Sequence, residues 1–231
     1  MTDQISKTQV TLERSLVVAP PPPRGLEYTV GNTPMLVLRR VTAGLPSDVQ
    51  VFAKAEWFNP GGSIKDRPAF NILRTALASC DLIPGKRLLD STSGNMGIAY
   101  TTLGAAMDVP VSLAVPANAS PERIAILRAL GADLVLTDPL EGTDGAIRVA
   151  RQMAAEDPEL YFYANQYDNP ANWQAHYLTT GPEIIQQTNG RVTHFIAGMG
   201  TSGTLTGAGR YLREYNPAIQ IVAVQPDGPF H

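Results

Sequence analysis

Lys65 stands where a lysine is electrostatically misplaced. It follows the loop NPGGSI and is followed, after Asp66, Arg67 and Pro68, by the apolar run AFNILRTAL, so the spacing puts it at the start of a helix. That end of a helix already carries partial positive charge and suits an anion. A lone lysine is ordinarily a solvated surface residue. One held in a cleft loses stability as a cation, so its pKa falls and its amine becomes a nucleophile. A second loop, GMGTSGTLTG (198–207), follows an apolar stretch and opens another helical run. Its glycines let backbone N–H groups approach an anion at a helix start, and Thr201, Ser202 and Thr204 add hydroxyl donors. A phosphate group fits there. Gly198, Gly200 and Gly203 also satisfy G-x-G-x-x-G, the dinucleotide fingerprint. However, the ribose-binding acid expected about 20 residues on is absent from the next strand, and no G-K-[ST] follows. A third loop, STSGNMG (91–97), offers backbone amides and the side chains of Thr92, Ser93 and Asn95 to a carboxylate, although helix capping by Ser93 or Asn95 is the plainer use of the same residues.

These loops need elements to hold them. Strands are expected over 49–57, 87–91, 111–115, 133–137, 161–165, 193–198 and 219–226, and helices over 68–79, 96–106, 143–155, 177–187 and 205–215. SPERIAILRALG adds a helix with Ser120 as N-cap, Pro121 at its first position and Gly131 as the stop. Strand and helix alternate, and several strands are apolar on both faces. That pattern calls for parallel sheets covered by helices, an α/β fold with ligands in the loops at the carboxyl ends of strands. Residues 1–25 are polar and run into PPPP, which reads as a mobile arm with a stiff polyproline end.

Composition removes other classes. The 231 residues are 44% hydrophobic and 17% charged, with a net charge of -3. No basic field suits nucleic acid, and no apolar run approaches the roughly 20 residues that span a bilayer. The N-terminus lacks the apolar core of a signal peptide. Cys80 is the single cysteine, so neither an internal disulfide nor a cysteine-based metal site is expected. A cytoplasmic protein is the default. Cys80 and Trp57 read as packing residues, His176 and His194 as packing or hydrogen-bonding residues, and Asp66 and Arg67 as pairing locally or across an interface.

An amine nucleophile in one loop and a phosphate cradle in another point to pyridoxal 5'-phosphate (PLP). Its aldehyde suits the lysine and its phosphate suits the glycine loop. From GNTPMLVL onward, NPGGSIKDR, STSGNMGIA, NQYDNPAN and GMGTSGTLTG occur in that order. Together they resemble the cysteine synthase and cystathionine beta-synthase family, PLP enzymes of the tryptophan-synthase-beta-like fold (fold type II). AHYLTTGPEIIQQTNGRVTHFIAGMGT is similar to the cysteine synthase B branch. SIKDR lacks the phenylalanine that threonine dehydratases usually carry before the lysine.

The resemblance implies roles. Lys65 would link covalently to the cofactor aldehyde and later move the substrate's α proton. Asn95 would hydrogen-bond the ring oxygen O3'. Gly200, Thr201, Ser202, Gly203 and Thr204 would bind the phosphate. Thr92, Ser93, Asn95 and Gln166 would hold the substrate carboxylate, with the 91–97 loop closing over it. The implied reaction is β-replacement on an O-activated L-serine (O-acetylserine or O-phosphoserine) by sulfide or another sulfur donor, giving L-cysteine. A homodimer is implied, with no metal. The implied fold is two parallel or mostly parallel three-layer α/β/α sheets. Residues 26–58 and 170–231 form a large cofactor-binding domain, and 59–169 form a smaller domain carrying the substrate loop.

Two departures stand out. Met96 occupies a position where threonine is usual, which removes one hydroxyl contact to the carboxylate and leaves the backbone N–H. The family also continues beyond VQPDGPFH with a segment that completes the large domain and supplies a serine near the pyridine nitrogen. Without it, an exposed edge and apolar surface are expected at the last strand. The same scaffold serves cystathionine and diaminopropionate formation. A non-catalytic scaffold protein is the alternative from another class. A nucleotide-binding reading leaves Lys65 and STSGNMG without a purpose.

Overall fold

A computed structural model describes residues 25–92 and 94–227; residues 1–24 with the PPPP tract, Ser93 and residues 228–231 lie outside them. Its central sheet is made of β3 (Arg87–Ser91), β4 (Val111–Pro116), β5 (Asp133–Thr137) and β6 (Tyr161–Tyr163). The strands lie in the order β5-β4-β3-β6, and every neighbouring pair is parallel. Alternation of side chains along each strand feeds two cores. Leu88 and Leu113 join Ala69, Ile72 and Leu73 of α1 (Asp66–Ala78) and Leu103 of α2 (Asn95–Ala106). Leu89 and Ala114 join Ala146 and Ala150, one turn apart on α4 (Gly142–Glu156). Between β4 and β5 runs α3 (Pro121–Ala129), where the Ser120 hydroxyl caps by accepting from Arg123 N–H.

This order contains a switch point. From β3 the chain moves through α2 to β4 on one side, whereas β6 later pairs on the other side of β3. The loops after β3 and β6 therefore diverge at adjacent strand ends, where open α/β sheets place ligands.

The remaining elements form a second layered unit. α5 (Pro170–Ala175), a π-helical turn (His176–Thr180) and α6 (Gly181–Gln187) run on without a break. β7 (His194–Gly198), α7 (Gly203–Tyr215) and β8 (Gln220–Val224) follow, with β7 and β8 parallel. α7 lies so close to this run that a Cβ at Gly207 would collide with the Trp173 carbonyl and with His176. The helix expected from 177 thus begins at Pro170, because Asn169 caps it by accepting from Ala171 N–H and proline sits at its first position.

Several expectations change. The strand expected over 49–57 is only β2 (Phe52–Lys54), and it pairs antiparallel with β1 (Met35–Val37), a strand the periodicity did not reveal. After Lys54 the chain tightens into a 3₁₀ turn (Glu56–Phe58), so Trp57 is 58% exposed beside Phe58 rather than in the core. Cys80 is also exposed; it takes a left-handed φ of 60° just past α1. The β7–β8 pair presents apolar surface as expected, with Ile196 62% and Val224 52% exposed. Among the described residues no helix is long and apolar enough to cross a membrane, and no group of His, Cys, Asp and Glu is placed to hold a metal.

Candidate active site

The lysine loop is held from both ends. Asp66 Oδ1 accepts from Gly61 N–H at 2.6 Å and Oδ2 from Ser63 N–H at 3.2 Å. Ser63 Oγ accepts from Lys65 N–H at 3.2 Å, and Asn59 Nδ2 donates to the Ser63 carbonyl at 3.0 Å. Lys65 therefore enters α1 in helical geometry, with φ -70° and ψ -17°. Burial lowers the pKa of its amine, and no carboxylate pairs with it among the described residues. Asp66 and Arg67, expected to pair locally or across an interface, find their partners within the chain. Asp66 folds back on the glycines, and Arg67 is fully buried between two distant acids. Its guanidinium donates to Glu56 Oε1 and Oε2, each at 2.8 Å, and to Glu183 Oε1 at 2.7 Å and Oε2 at 2.8 Å. Lys54 completes the cluster at 2.6 Å from Glu183. Burial would raise the Glu183 carboxyl, but hydrogen bonds from Arg67 and Lys54 overcome it and hold the pKa at about 2.

The switch point gathers the second set. Thr92 is buried, and its hydroxyl accepts from Gly94 N–H at 3.1 Å and Gly97 N–H at 3.2 Å, so it shapes the loop entering α2. Asn95 opens α2 with its side chain exposed. Ser93 lies outside the described residues. Gln166, in the loop after β6, is buried; its Nε2 donates to the Ser91 carbonyl at 2.8 Å and so ties the two loops together. Beneath them Asp90 accepts from Ser91 N–H at 2.9 Å, Tyr100 Oη at 3.0 Å and Gln166 N–H at 3.3 Å. Burial without a cation pushes the Asp90 carboxyl up to about 7.

The glycine loop joins this assembly from the other unit. Ser202 takes a left-handed φ of 61°, which turns the chain into Gly203 at the head of α7. Thr201 Oγ1 accepts from Asn172 Nδ2 at 3.0 Å. Thr204 Oγ1 lies 3.3 Å from His176 Nε2, and His176 Nδ1 lies 3.0 Å from Thr180 Oγ1. Burial, then the charges of Arg67 and Lys65, lower the His176 pKa to about 3. His176 is therefore neutral at ordinary pH, and it feels Lys65 while it touches the glycine loop. Asp90 and Asn172 received no reading from the sequence, and Asp66 and His176 were read only as pairing and as packing or hydrogen-bonding residues. The signal for Asn172 was present, since it closes the motif NQYDNPAN.

A family profile described as "Pyridoxal-phosphate dependent enzyme" matches residues 26–229. The chain belongs to this family. It is 55% identical over 203 residues to a cysteine synthase of Aquifex aeolicus, covering 87% of this chain and 62% of that protein. It is 43% identical over 202 residues to a cysteine synthase B of Escherichia coli, covering 87% and 65% respectively. The crystal structure of a cysteine synthase from Entamoeba histolytica matches with a TM-score of 0.83 at 37% identity, covering 98% of this chain and 64% of that one. The chain thus spans less than two thirds of the length of these relatives, and its fold is the type II fold of PLP enzymes.

The residues present fit a PLP group. An amine partner must be unpaired and depressed, as Lys65 is. A phosphate cradle must leave backbone uncovered, and the Cβ position of Gly200 meets nothing within 4 Å. The hydroxyls of Thr201 and Thr204 in this loop are engaged by Asn172 and His176 respectively.

Proposed function

We propose that the protein catalyses β-replacement on an O-activated L-serine, O-acetylserine or O-phosphoserine, with sulfide or another sulfur donor, to form L-cysteine. The carrying observation is the Lys65 amine: partly buried, without a counter-ion among the described residues, and at a braced helix start. Its setting in a chain 55% identical to a cysteine synthase supports the choice of reaction.

When bound, the cofactor supplies an aldehyde that captures amines and a ring that takes up electrons from the substrate's α carbon. Gly200, Thr201, Ser202, Gly203 and Thr204 would hold its phosphate, and Asn95 would hydrogen-bond its ring oxygen. Neutral His176 steadies Thr204 without adding a proton to the cradle. Lys65 Nζ removes the α proton, and burial favours the uncharged amine that this step needs. Thr92, Ser93, Asn95 and Gln166 orient the substrate carboxylate, and the loop that carries the first three excludes water as it closes. The domain division belongs to this reading. β3 to β6 all fall within 59–169, while β1, β2, β7 and β8 fall outside it. So do a cytoplasmic location, which a single cysteine suits, and a homodimer, for which exposed Leu36, Val37, Trp57 and Phe58 supply apolar surface.

The test is a visible absorption titration with PLP of the parent and of Lys65→Ala. A saturable band is expected in the parent and not in the variant. O-acetylserine should change that band, and sulfide should restore it with release of cysteine. Turnover by the variant should fall by at least about 10²–10⁴-fold, the usual contribution of a positioned proton-transfer group. A parent without a band would sink the catalytic reading and leave a scaffold of the same fold.

A further inference from the structure

Asn172 binds no ligand in the roles above, yet its side chain touches both groups of loops. It is buried on α5. Its Nδ2 donates to the Gln166 carbonyl at 2.7 Å and to Thr201 Oγ1 at 3.0 Å. Its Oδ1 has no hydrogen-bond partner and lies against Gly203, where any Cβ would collide with it. The amide has one sensible orientation, because the Gln166 carbonyl demands a donor. Gln166 is in turn held by Asp90 through its N–H and bonded to Ser91 through its Nε2. A single amide therefore stands between the loop at the switch point and the glycine loop.

We propose that Asn172 is a positioning residue that couples the two ligand loops, so that an anion seated on residues 198–204 tightens the Gln166 loop. The inference rests on the phosphate-loop reading above. Thr201 accepts from Asn172, which leaves its own proton for an anion. Donating that proton makes its oxygen a better acceptor, and chains of hydrogen bonds strengthen one another in this way. Firmer anchoring of Asn172 on Thr201 fixes the same Nδ2 on the Gln166 carbonyl. Gln166 then waits in place for the amino acid, and by reciprocity the amino acid strengthens anion binding.

Hydrogen exchange of the cofactor-free protein, with and without inorganic phosphate, reads this coupling without any lysine chemistry. In the parent, phosphate should slow exchange in 198–204 and also in 164–169, the latter by about tenfold, as expected for one strengthened hydrogen bond. Asn172→Asp keeps the shape but sets an acceptor against the Gln166 carbonyl, and Thr201→Val removes the hydroxyl from the other side. Both should lose the effect at 164–169. The two losses should not add, because both cut one link. In the PLP-loaded protein, Asn172→Asp should raise the O-acetylserine concentration that half-converts the visible band by about tenfold after PLP is saturating. Phosphate protection confined to 198–204 in the parent, or retained at 164–169 in both variants, would overturn the coupling, as would an unchanged half-conversion point. A parent that shows phosphate coupling but forms no visible band would instead overturn the catalytic reading alone.

Discussion

Arg67 carries the largest buried electrostatic commitment at the scale of single residues. Its guanidinium fork meets two carboxylates that would otherwise be buried without a cation apart from Lys54. Arg67→Met should therefore cost about 3–5 kcal/mol in urea unfolding, the usual penalty for removing one partner of a buried ion pair. Arg67→Lys keeps the charge but cannot reproduce the bidentate geometry, so it should recover part of the loss and no more. Lys65 is two residues away, so PLP affinity should weaken in step with the unfolding midpoint. Lys65 was visible in the sequence because its chemistry is written into its neighbours: glycines before it, a helix after it. The partners of Arg67 were not. Glu183 lies 116 residues downstream, and no local pattern ties the two together.

Between elements, the close approach of α7 to the α5–π–α6 run holds the head of α7 against His176. Gly207 permits that approach. Gly207→Ala would push a methyl group into the Trp173 carbonyl and His176. The expected cost is about 1–3 kcal/mol for overpacking, measured by thermal unfolding, with PLP affinity falling as α7 and its loop move away from His176. A variant with unchanged stability and PLP binding would show that the helices can separate freely. The elements themselves were largely legible, since α1, α4 and the strands of the central sheet carry the expected apolar pattern and α3 the expected Ser120 cap. β1 was missed because a three-residue strand is too short to show alternation. The start of α5 was missed because Asn169 and Pro170 read equally well as a turn and as an N-cap with proline at N1.

Three buried titrating groups make the stability of the whole molecule depend on pH. His176 has a pKa of about 3 when folded against 6.5 ordinarily. The folded state binds fewer protons in that window, so stability falls as pH drops from about 6.5 toward 3. Glu183, at about 2 against 4.5, acts in the same direction below 4.5. Asp90 acts the opposite way. Its folded pKa of about 7 lies above the ordinary 3.8, so the folded state holds an extra proton between these values and stability falls as pH rises from 3.8 to 7. Thermal unfolding across pH 3–8 should show Asp90→Asn removing the decline on the rising side. His176→Asn should flatten the acid side between 6.5 and 3. An acid arm that His176→Asn leaves unchanged would mean that the histidine is charged in the folded protein.

The sequence by itself determined the α/β class, the order of most elements and the three loops proposed to hold ligands. Each is a local matter: period, cap, glycine content, hydroxyl spacing. Only the tertiary structure decided how the loops meet. Asp66 braces the lysine loop, His176 stands between Thr180 and Thr204, Asp90 holds Gln166 from below, and Asn172 spans Gln166 and Thr201. The bonds of Asp66 to Gly61, His176 to Thr180 and Asn172 to Gln166 are local, whereas Asp90 to Gln166, Asn172 to Thr201 and His176 to Thr204 join elements that meet only when β6 pairs beside β3 and α7 packs against α5. No residue spacing encodes the second set, because closure of long chain segments, rather than local propensity, brings those partners within reach.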